Sequence, residues 1–371
     1  MKKYDVAAYV WPAYTGDELR TRIFWPEGIG EWQTVKNSAP KPNGYHWNRK
    51  PLWGYVNEAD PFVMAGQIEA ATAHGVNVFI YDWYWYDNRP FLENCLNDGF
   101  LKAPNNHKMK FYIMWANHDV THGWDIRLSD KIETKIWHGA VSREQFEVIG
   151  KRWIEQYFTR PNYYCIDGKP VVSIYDIGNL LQGLGGLAAT VEAMQWLDQE
   201  AKKAGLAGVH YQFIRWDGNI RDQSGFDGKR IDNESELVRL LGFHSVTNYQ
   251  FAHMANVNRD FLEILEDIKP LWEKIKDEYG VTYYPHVSIG WDNNPRYQNF
   301  IPNITTNNGP ENFKKCLEAV KAFCDRNDVN LITVNSWNEW TETSYLEPDD
   351  LYGYGYLEAI RDVFLEGGFG E

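Results

Sequence analysis

The sequence predicts a (β/α)8 barrel, and three observations carry that prediction. Eight short apolar runs rich in β-branched and aromatic residues recur along the chain, each followed by a loop and then a helical pattern. The length, 371 residues, suits one α/β barrel. The connections are lopsided, with short helix-to-strand links and long strand-to-helix loops. A doubly wound open sheet is the alternative, but no glycine-rich phosphate fingerprint follows the first run. No internal repeat, low-complexity tract or linker composition divides the chain, so residues 1–371 are read as a single barrel domain.

The first strand is read at 4–10 (YDVAAYV), the second at 76–82 (VNVFIYD), the third at 110–115 (KFYIMW) and the fourth at 170–176 (PVVSIYD). The remaining four fall at 208–214 (GVHYQFI), 244–250 (HSVTNYQ), 283–289 (YYPHVSI) and 330–337 (NLITVNSW). Helical periodicity fills the intervals. Phe146, Ile149, Trp153 and Tyr157 repeat at three- and four-residue steps across 143–158, and Ser142 precedes Gln145 with capping-box spacing. Phe261, Ile264, Leu265, Ile268, Leu271 and Ile275 share one face of 258–278. A last helix is expected at about 354–366. The long loops are 11–60, 117–142, 215–233 and 291–309, whereas Ala73-His74-Gly75 and the stretch 203–207 are brief. In a barrel all strand-to-helix loops emerge at one face, where active sites lie.

Composition narrows the function. A net charge of −14 argues against nucleic acid and anionic membrane, both of which need clustered Lys and Arg. No apolar run approaches the ~20 residues of a membrane helix. Met1-Lys2-Lys3 leads directly into a strand without an apolar leader or cleavage site. The expected compartment is cytoplasmic, or periplasmic or extracellular if an export signal has been removed. Cys95, Cys165, Cys316 and Cys324 read as reduced core residues. Cys316 and Cys324 stand eight apart on one helix, roughly 12 Å, too far for a disulfide. No CxxC or HExxH spacing is present, so no metal and no cofactor is expected. A monomer is expected.

Aromatic residues make up 16% of the chain and include 17 Trp, a costly choice for a core because each buried indole N–H needs a partner. All but Trp153, Trp196 and Trp272 are read at strand ends or in the long loops. Aromatic platforms interleaved with Asp, Asn and Glu suit carbohydrate: sugar C–H faces pack on rings while hydroxyls take planar polar partners. The bland alternative is that these rings form a second small core over the loops.

The stretch "NSWNEWTETSYLEPDD" at 335–350 follows the eighth strand. Side chains alternate along a strand, which puts Ile332 and Val334 toward the helices and Thr333, Asn335, Trp337 and Glu339 on the interior parity. Glu339 then lands on the rim, and Glu342 in the following turn can fold over the same spot. Two carboxyl groups on one rim are what acid–base chemistry at an acetal requires.

"SWNEWTETSYLEPD" resembles the Asn-Glu-Trp-x-Glu-Gly signature of glycoside hydrolase family 99, the endo-α-1,2-mannosidases and mannanases. It is closer to a related group described as putative glycosyltransferases of lipopolysaccharide O-antigen clusters. That second resemblance spans nearly the whole chain: "GIGEWQTVKNSAPK" (28–41), "PLWGYVNEADPFVMAGQIEAATAHGVNVFIYDWYW" (51–85), "WAN" (115–117), "WD" (124–125), "YCIDGKPVVSIYD" (164–176) and "YGYLEAI" (354–360). The mannosidase resemblance implies retention without a glycosyl-enzyme. Glu339 matches the acid that deprotonates the substrate 2-hydroxyl, and Glu342 matches the proton donor. Tyr9, Asp82, Trp83 and Tyr84 occupy positions similar to that family's sugar binders. Trp11, Glu31, Trp32, Trp115, Asn117, His118, Trp124, Asp176, Trp291, Asp292, Trp337, Asn338 and Tyr345 complete the candidate substrate-binding set. The chain departs from the pattern at His118 and Val120, where the group has Glu and Trp, and at Thr343, where Gly is usual.

The leading expectation is a glycoside hydrolase acting with retention on an α-linked, mannose-like residue of an oligosaccharide or polysaccharide. The rivals are a glycosyltransferase of polysaccharide biosynthesis and a non-catalytic carbohydrate-binding barrel. No diphosphate-binding motif and no Asp-x-Asp pair supports the transferase. Two intact carboxylates disfavour the non-catalytic barrel.

Overall fold

The structure, a computed structural model, describes residues 3–129, 131, 133–216 and 233–365. Met1, Lys2, most of the expected 215–233 loop and residues 366–371 lie outside that set.

Eight parallel strands form the central sheet: β1 (Asp5–Val10), β2 (Val78–Tyr86), β3 (Lys110–Trp115), β4 (Lys169–Ile174), β5 (His210–Arg215), β6 (Ser245–Asn248), β7, broken into Thr282–Tyr283 and His286–Ser288, and β8 (Leu331–Asn335). Each pairs with its neighbours in chain order, and β1 pairs with β8 in the register Asp5↔Leu331 to Ala8↔Val334. The broken seventh strand closes the ring. Its first piece pairs with β6 and its second with β8. All eight strands stand where the apolar runs predict them, because parallel strands buried on both faces read as unbroken hydrophobic segments.

Helices pack outside. Arg143–Trp153 starts at Ser142, whose hydroxyl accepts from Gln145 N, and continues as a π turn over Ile154–Phe158. Phe261–Tyr279 carries its apolar stripe inward and ends at Gly280 with φ +66°. Pro310–Asn327 holds Cys316 and Cys324 in the core, and Gly355–Phe364 closes the series. Cys165 departs from expectation, being exposed. After β2 no full helix forms among the described residues. The chain turns back through Arg89–Phe91, antiparallel to the end of β2, into the single π turn Cys95–Phe100. No helix among the described residues is long and apolar enough to cross a membrane.

The long loops interlock over one mouth of the barrel. Residues 11–60 fold across the chain after β8: Trp47 Nε1 donates to Thr343 Oγ1 at 2.8 Å, and Leu52 N to Pro348 O at 2.9 Å. Trp124 from the 117–142 loop packs on Trp11 at 5.1 Å between ring centroids. The 291–309 loop reaches both neighbours, through Tyr45 to Asp292 and through Gln298 to the Ile126 carbonyl.

Candidate active site

Beyond β8 the chain does not continue as a strand. It forms a hairpin, Asn338–Glu339 paired with Ser344–Tyr345, around the short 3-10 turn Trp340–Glu342. Thr343 closes the turn at φ +56°, a left-handed conformation that costs a β-branched residue. Its hydroxyl offsets that cost by accepting from Trp47 and donating to Asp292 O at 2.7 Å. Ser336 Oγ accepts from Glu339 N at 2.7 Å and donates to Ser344 O. The Asn338 amide spans the Trp11 backbone, accepting from its N at 2.8 Å and donating to its O at 2.9 Å. This lattice delivers both Glu339 and Glu342 to the barrel mouth.

There they share a cavity of about 100 Å³ lined by Trp11, Asp82, Tyr84, Met114, Ala116, His118, Trp124, Tyr175, Tyr249 and Arg296. A larger open groove of about 720 Å³ runs between the Leu187–Lys203 and Glu234–Leu240 helices, away from this chemistry. Residue type rather than volume decides between them: acids of the groove are paired with exposed lysines, Asp198 with Lys202 and Glu200 with Lys203, whereas the smaller cavity gathers buried acids on aromatic walls.

Arg296 organises the acids. Its Nη1 donates to Glu342 at 2.6 Å, its Nη2 to Glu339 at 3.1 Å, and its Nε to Thr341 Oγ1 at 2.7 Å and to Glu31 at 3.2 Å. Glu31 is fully buried and also accepts from Trp11 Nε1 at 2.6 Å, which steers that indole along the cavity wall. Burial pushes the Glu339 carboxyl well up, Glu342 raises it further, and Arg296 opposes both. Glu342 is raised by burial with Arg296 again opposing.

Tyr249 bridges the other side. Its hydroxyl lies 2.9 Å from Asp82 Oδ2 and 3.0 Å from Glu339 Oε1. One hydroxyl hydrogen cannot serve two ionised acceptors, so one of these carboxyls carries a proton. Arg296 touches Glu339 and not Asp82, whose Oδ1 is buried without a hydrogen-bond partner among the described residues. The proton therefore belongs on Asp82, and burial raises that carboxyl well above its usual range. His118 is held neutral by burial, its ring edge-on to Tyr84, Trp124 and Tyr175.

Several expected sugar-site residues lie elsewhere, and strand alternation is the usual reason. Asp82 and Tyr84 face inward, so Trp83 faces out, stacked on Trp85 with Nε1 donating to Glu93 at 2.8 Å. Trp115 likewise turns outward onto Trp153 and Phe146, leaving Met114 and Ala116 at the cavity. Thr333 and Asn335 keep the interior parity, bonding Thr247 and Gln250. The strand then ends, and Trp337 swings out to Gln67 and Phe79. Tyr345 stacks on Trp340 at 3.8 Å, behind the hairpin.

Tyr9 sits deeper in the barrel, bonding the Asn248 carbonyl. Trp32 belongs to a short helix, Trp32–Lys36, and donates to Val56 O at 2.6 Å. Asn117 pins the Asp176 backbone, and Asp176 caps the Ile177–Leu184 helix. Asp292 accepts from Asn294 within the 291–309 loop, and Trp291 is half-buried there, off the cavity lining. Asn338 and Glu31 act on the cavity through Trp11 and Arg296. Tyr175 and Tyr249 could have been found, since both continue the inward parity of Ser173 and Thr247. Arg296 carried no signal, being one residue of an irregular loop.

The fold and site together are a closed barrel whose mouth combines paired carboxylates with aromatic walls. The family model described as "Glycosyltransferase WbsX" matches residues 8–360, so the chain belongs to the WbsX glycosyltransferase-like family. Two curated relatives from strains of Xanthomonas campestris pv. campestris, each described as uncharacterized protein WxcX, are 24% identical over 355 residues. That match covers 92% of this chain and 47% of theirs, so the chain spans about half the length of these relatives. Among solved structures, a glycoside hydrolase-like protein aligns over 98% of this chain and 94% of its own, at 14% identity and a TM-score of 0.60. The family 99 endo-alpha-mannosidase from Bacteroides thetaiotaomicron aligns over 97% and 95%, at 13% identity and 0.56. At these identities the likeness establishes the fold, a barrel shared with glycoside hydrolases.

Proposed function

We propose that the protein is a glycoside hydrolase cleaving an α-linked, mannose-like residue of an oligosaccharide or polysaccharide with retention. The observation that carries this reading is the pairing of Glu339 with Glu342 in one aromatic-walled cavity. Glu339 takes the proton of the substrate 2-hydroxyl as that oxygen closes on the anomeric carbon. Glu342 protonates the departing oxygen; water then attacks the anomeric carbon and breaks its bond to O2, Glu342 taking the water's proton while Glu339 returns its own to O2. Trp11, Trp124 and Tyr84 supply the platforms for the ring.

Arg296 sets a condition on this scheme. At 2.6 Å it favours the ionised form of Glu342, the reverse of what a proton donor needs. The cavity is also below the roughly 300 Å³ at which small-molecule sites begin. A bound sugar would therefore displace the guanidinium from Glu342, opening space and letting that acid take its proton in one movement.

The family's description favours a transferase. Against it, Glu31, Glu339 and Glu342 outnumber the one arginine that the described residues bring to the cavity, a poor setting for a sugar diphosphate. Incubating the protein with α-mannan fragments alone and reading products by mass spectrometry tests the choice. New reducing ends without any nucleotide sugar are expected; product that forms only with a nucleotide sugar overturns the hydrolase reading.

A further inference from the structure

The third glutamate of the 335–350 stretch, Glu347, stays outside the cavity. Glu347 is 2% exposed and is hydrogen-bonded to Glu58, which is fully buried on the 11–60 loop. Gln67 Nε2, from the Pro61–Ala73 helix, donates to both, at 3.1 Å to Glu58 and 2.8 Å to Glu347. Asn338 Nδ2 donates to Glu58 at 2.9 Å, Cys95 Sγ approaches it at 3.7 Å, and Trp340 Nε1 donates to Glu347 at 2.6 Å. The phenols of Tyr14 and Tyr81 are the other titratable groups facing Glu58. Among the described residues no Lys, Arg or His side chain bonds either acid.

Two touching carboxylates with no cation cannot both be ionised in a dry interior, and a direct bond between them needs a hydrogen on one. Glu58 already accepts from Gln67, Asn338 and Cys95, so it is the acceptor and Glu347 carries the proton. Burial raises both carboxyls above their ordinary range, the direction that a shared proton requires. Asn338 and Trp340, the two residues bound to this pair, are the sequence neighbours of Glu339. A shift of either moves the carboxylate between them.

We propose that Glu58 and Glu347 form a proton-sharing pair that positions Glu339 from behind, holding its hairpin through Asn338 and Trp340. The consequence for rate rests on the glycosidase reading; the shared proton does not. Losing the proton places a second negative charge in the pair, forces it apart and loosens the hairpin.

Glu347→Gln tests this, because its amide N–H replaces the acid O–H and cannot be lost. Its kcat/KM should stay within about tenfold of the parent at neutral pH. Glu347→Leu should lower kcat at least tenfold, a loss that Gln largely restores. Infrared spectra of the whole protein at pH 8 should show carboxylic C=O absorption beyond that of Asp82, a band that Glu347→Gln removes. A band unchanged by Glu347→Gln, or a folded Glu347→Leu variant that keeps full activity, overturns the proposal. Should the band vanish as expected while the parent cleaves no glycan, the glycosidase reading fails and the positioning role falls with it, leaving a structural pair.

Discussion

Replacing Arg296 by methionine removes the cation that bonds Glu31, Glu339 and Glu342 together, at a side chain only 13% exposed. At contact and an effective dielectric of 20, one such pair is worth about 4 kcal/mol, or about three pH units on the acid concerned. Water entering the space the guanidinium leaves raises the local dielectric and screens that limit, so about one unit for each of Glu339 and Glu342 is the working figure. Both carboxyls move up, because Arg296 is what opposes their burial. In the kcat/KM profile the acid limb reports ionisation of Glu339 and the alkaline limb loss of the Glu342 proton. The whole bell should therefore shift toward higher pH by about one unit. Stability should fall too, since breaking a buried ion pair costs about 3–5 kcal/mol. For a chain this long that is about 4–6 °C in Tm. The sign with pH follows from the raised acids. The added penalty is absent below their unfolded values near 4.3 and complete above their raised folded values, so the Tm deficit should be smaller at pH 5 than at pH 8. The assay is a pH profile on a soluble oligosaccharide together with calorimetry at both pH values. A variant that loses rate while both limbs stay in place would refute the electrostatic role of Arg296.

Glu342→Gln should nearly abolish cleavage of a natural glycoside, by about a hundred- to ten-thousand-fold, while sparing much more activity on a nitrophenyl glycoside or glycosyl fluoride. Glu339→Gln should hurt both substrate types alike, and a 2-deoxy substrate should resist the parent enzyme; a trapped covalent sugar on Asp82 would contradict 2-hydroxyl participation. Tyr249→Phe deletes the hydroxyl between Asp82 and Glu339, so kcat should drop about ten- to a hundredfold with little change in KM, and unchanged kcat would remove Tyr249 from the machinery. Thr343→Gly relieves a left-handed residue worth about 1 kcal/mol but breaks two buried hydrogen bonds of about 1 kcal/mol each. The net is a loss of about 1 kcal/mol in denaturant unfolding, and a gain in stability would show that the hydroxyl contributes nothing.

By itself the sequence determined the barrel and the face that matters. Hydrophobic runs such as VNVFIYD and NLITVN are local, and a strand buried on both sides must be apolar along its length, so periodicity and loop length were enough. It also placed Glu339 and Glu342 together, because three residues in one tight turn cannot separate far. Tertiary structure decided which aromatics face the cavity. Trp83 and Trp115 lie at strand ends beside Tyr84 and Met114, and the phase of each strand, which only its packing partners fix, turned the indoles out. The hairpin after Asn335 broke the alternation that would have carried Trp337 inward. Arg296 on Glu342, Tyr249 on Asp82 and Glu58 on Glu347 join residues 46, 167 and 289 positions apart. No local pattern encodes such pairs, because burial and charge become coupled only once the barrel closes and water leaves.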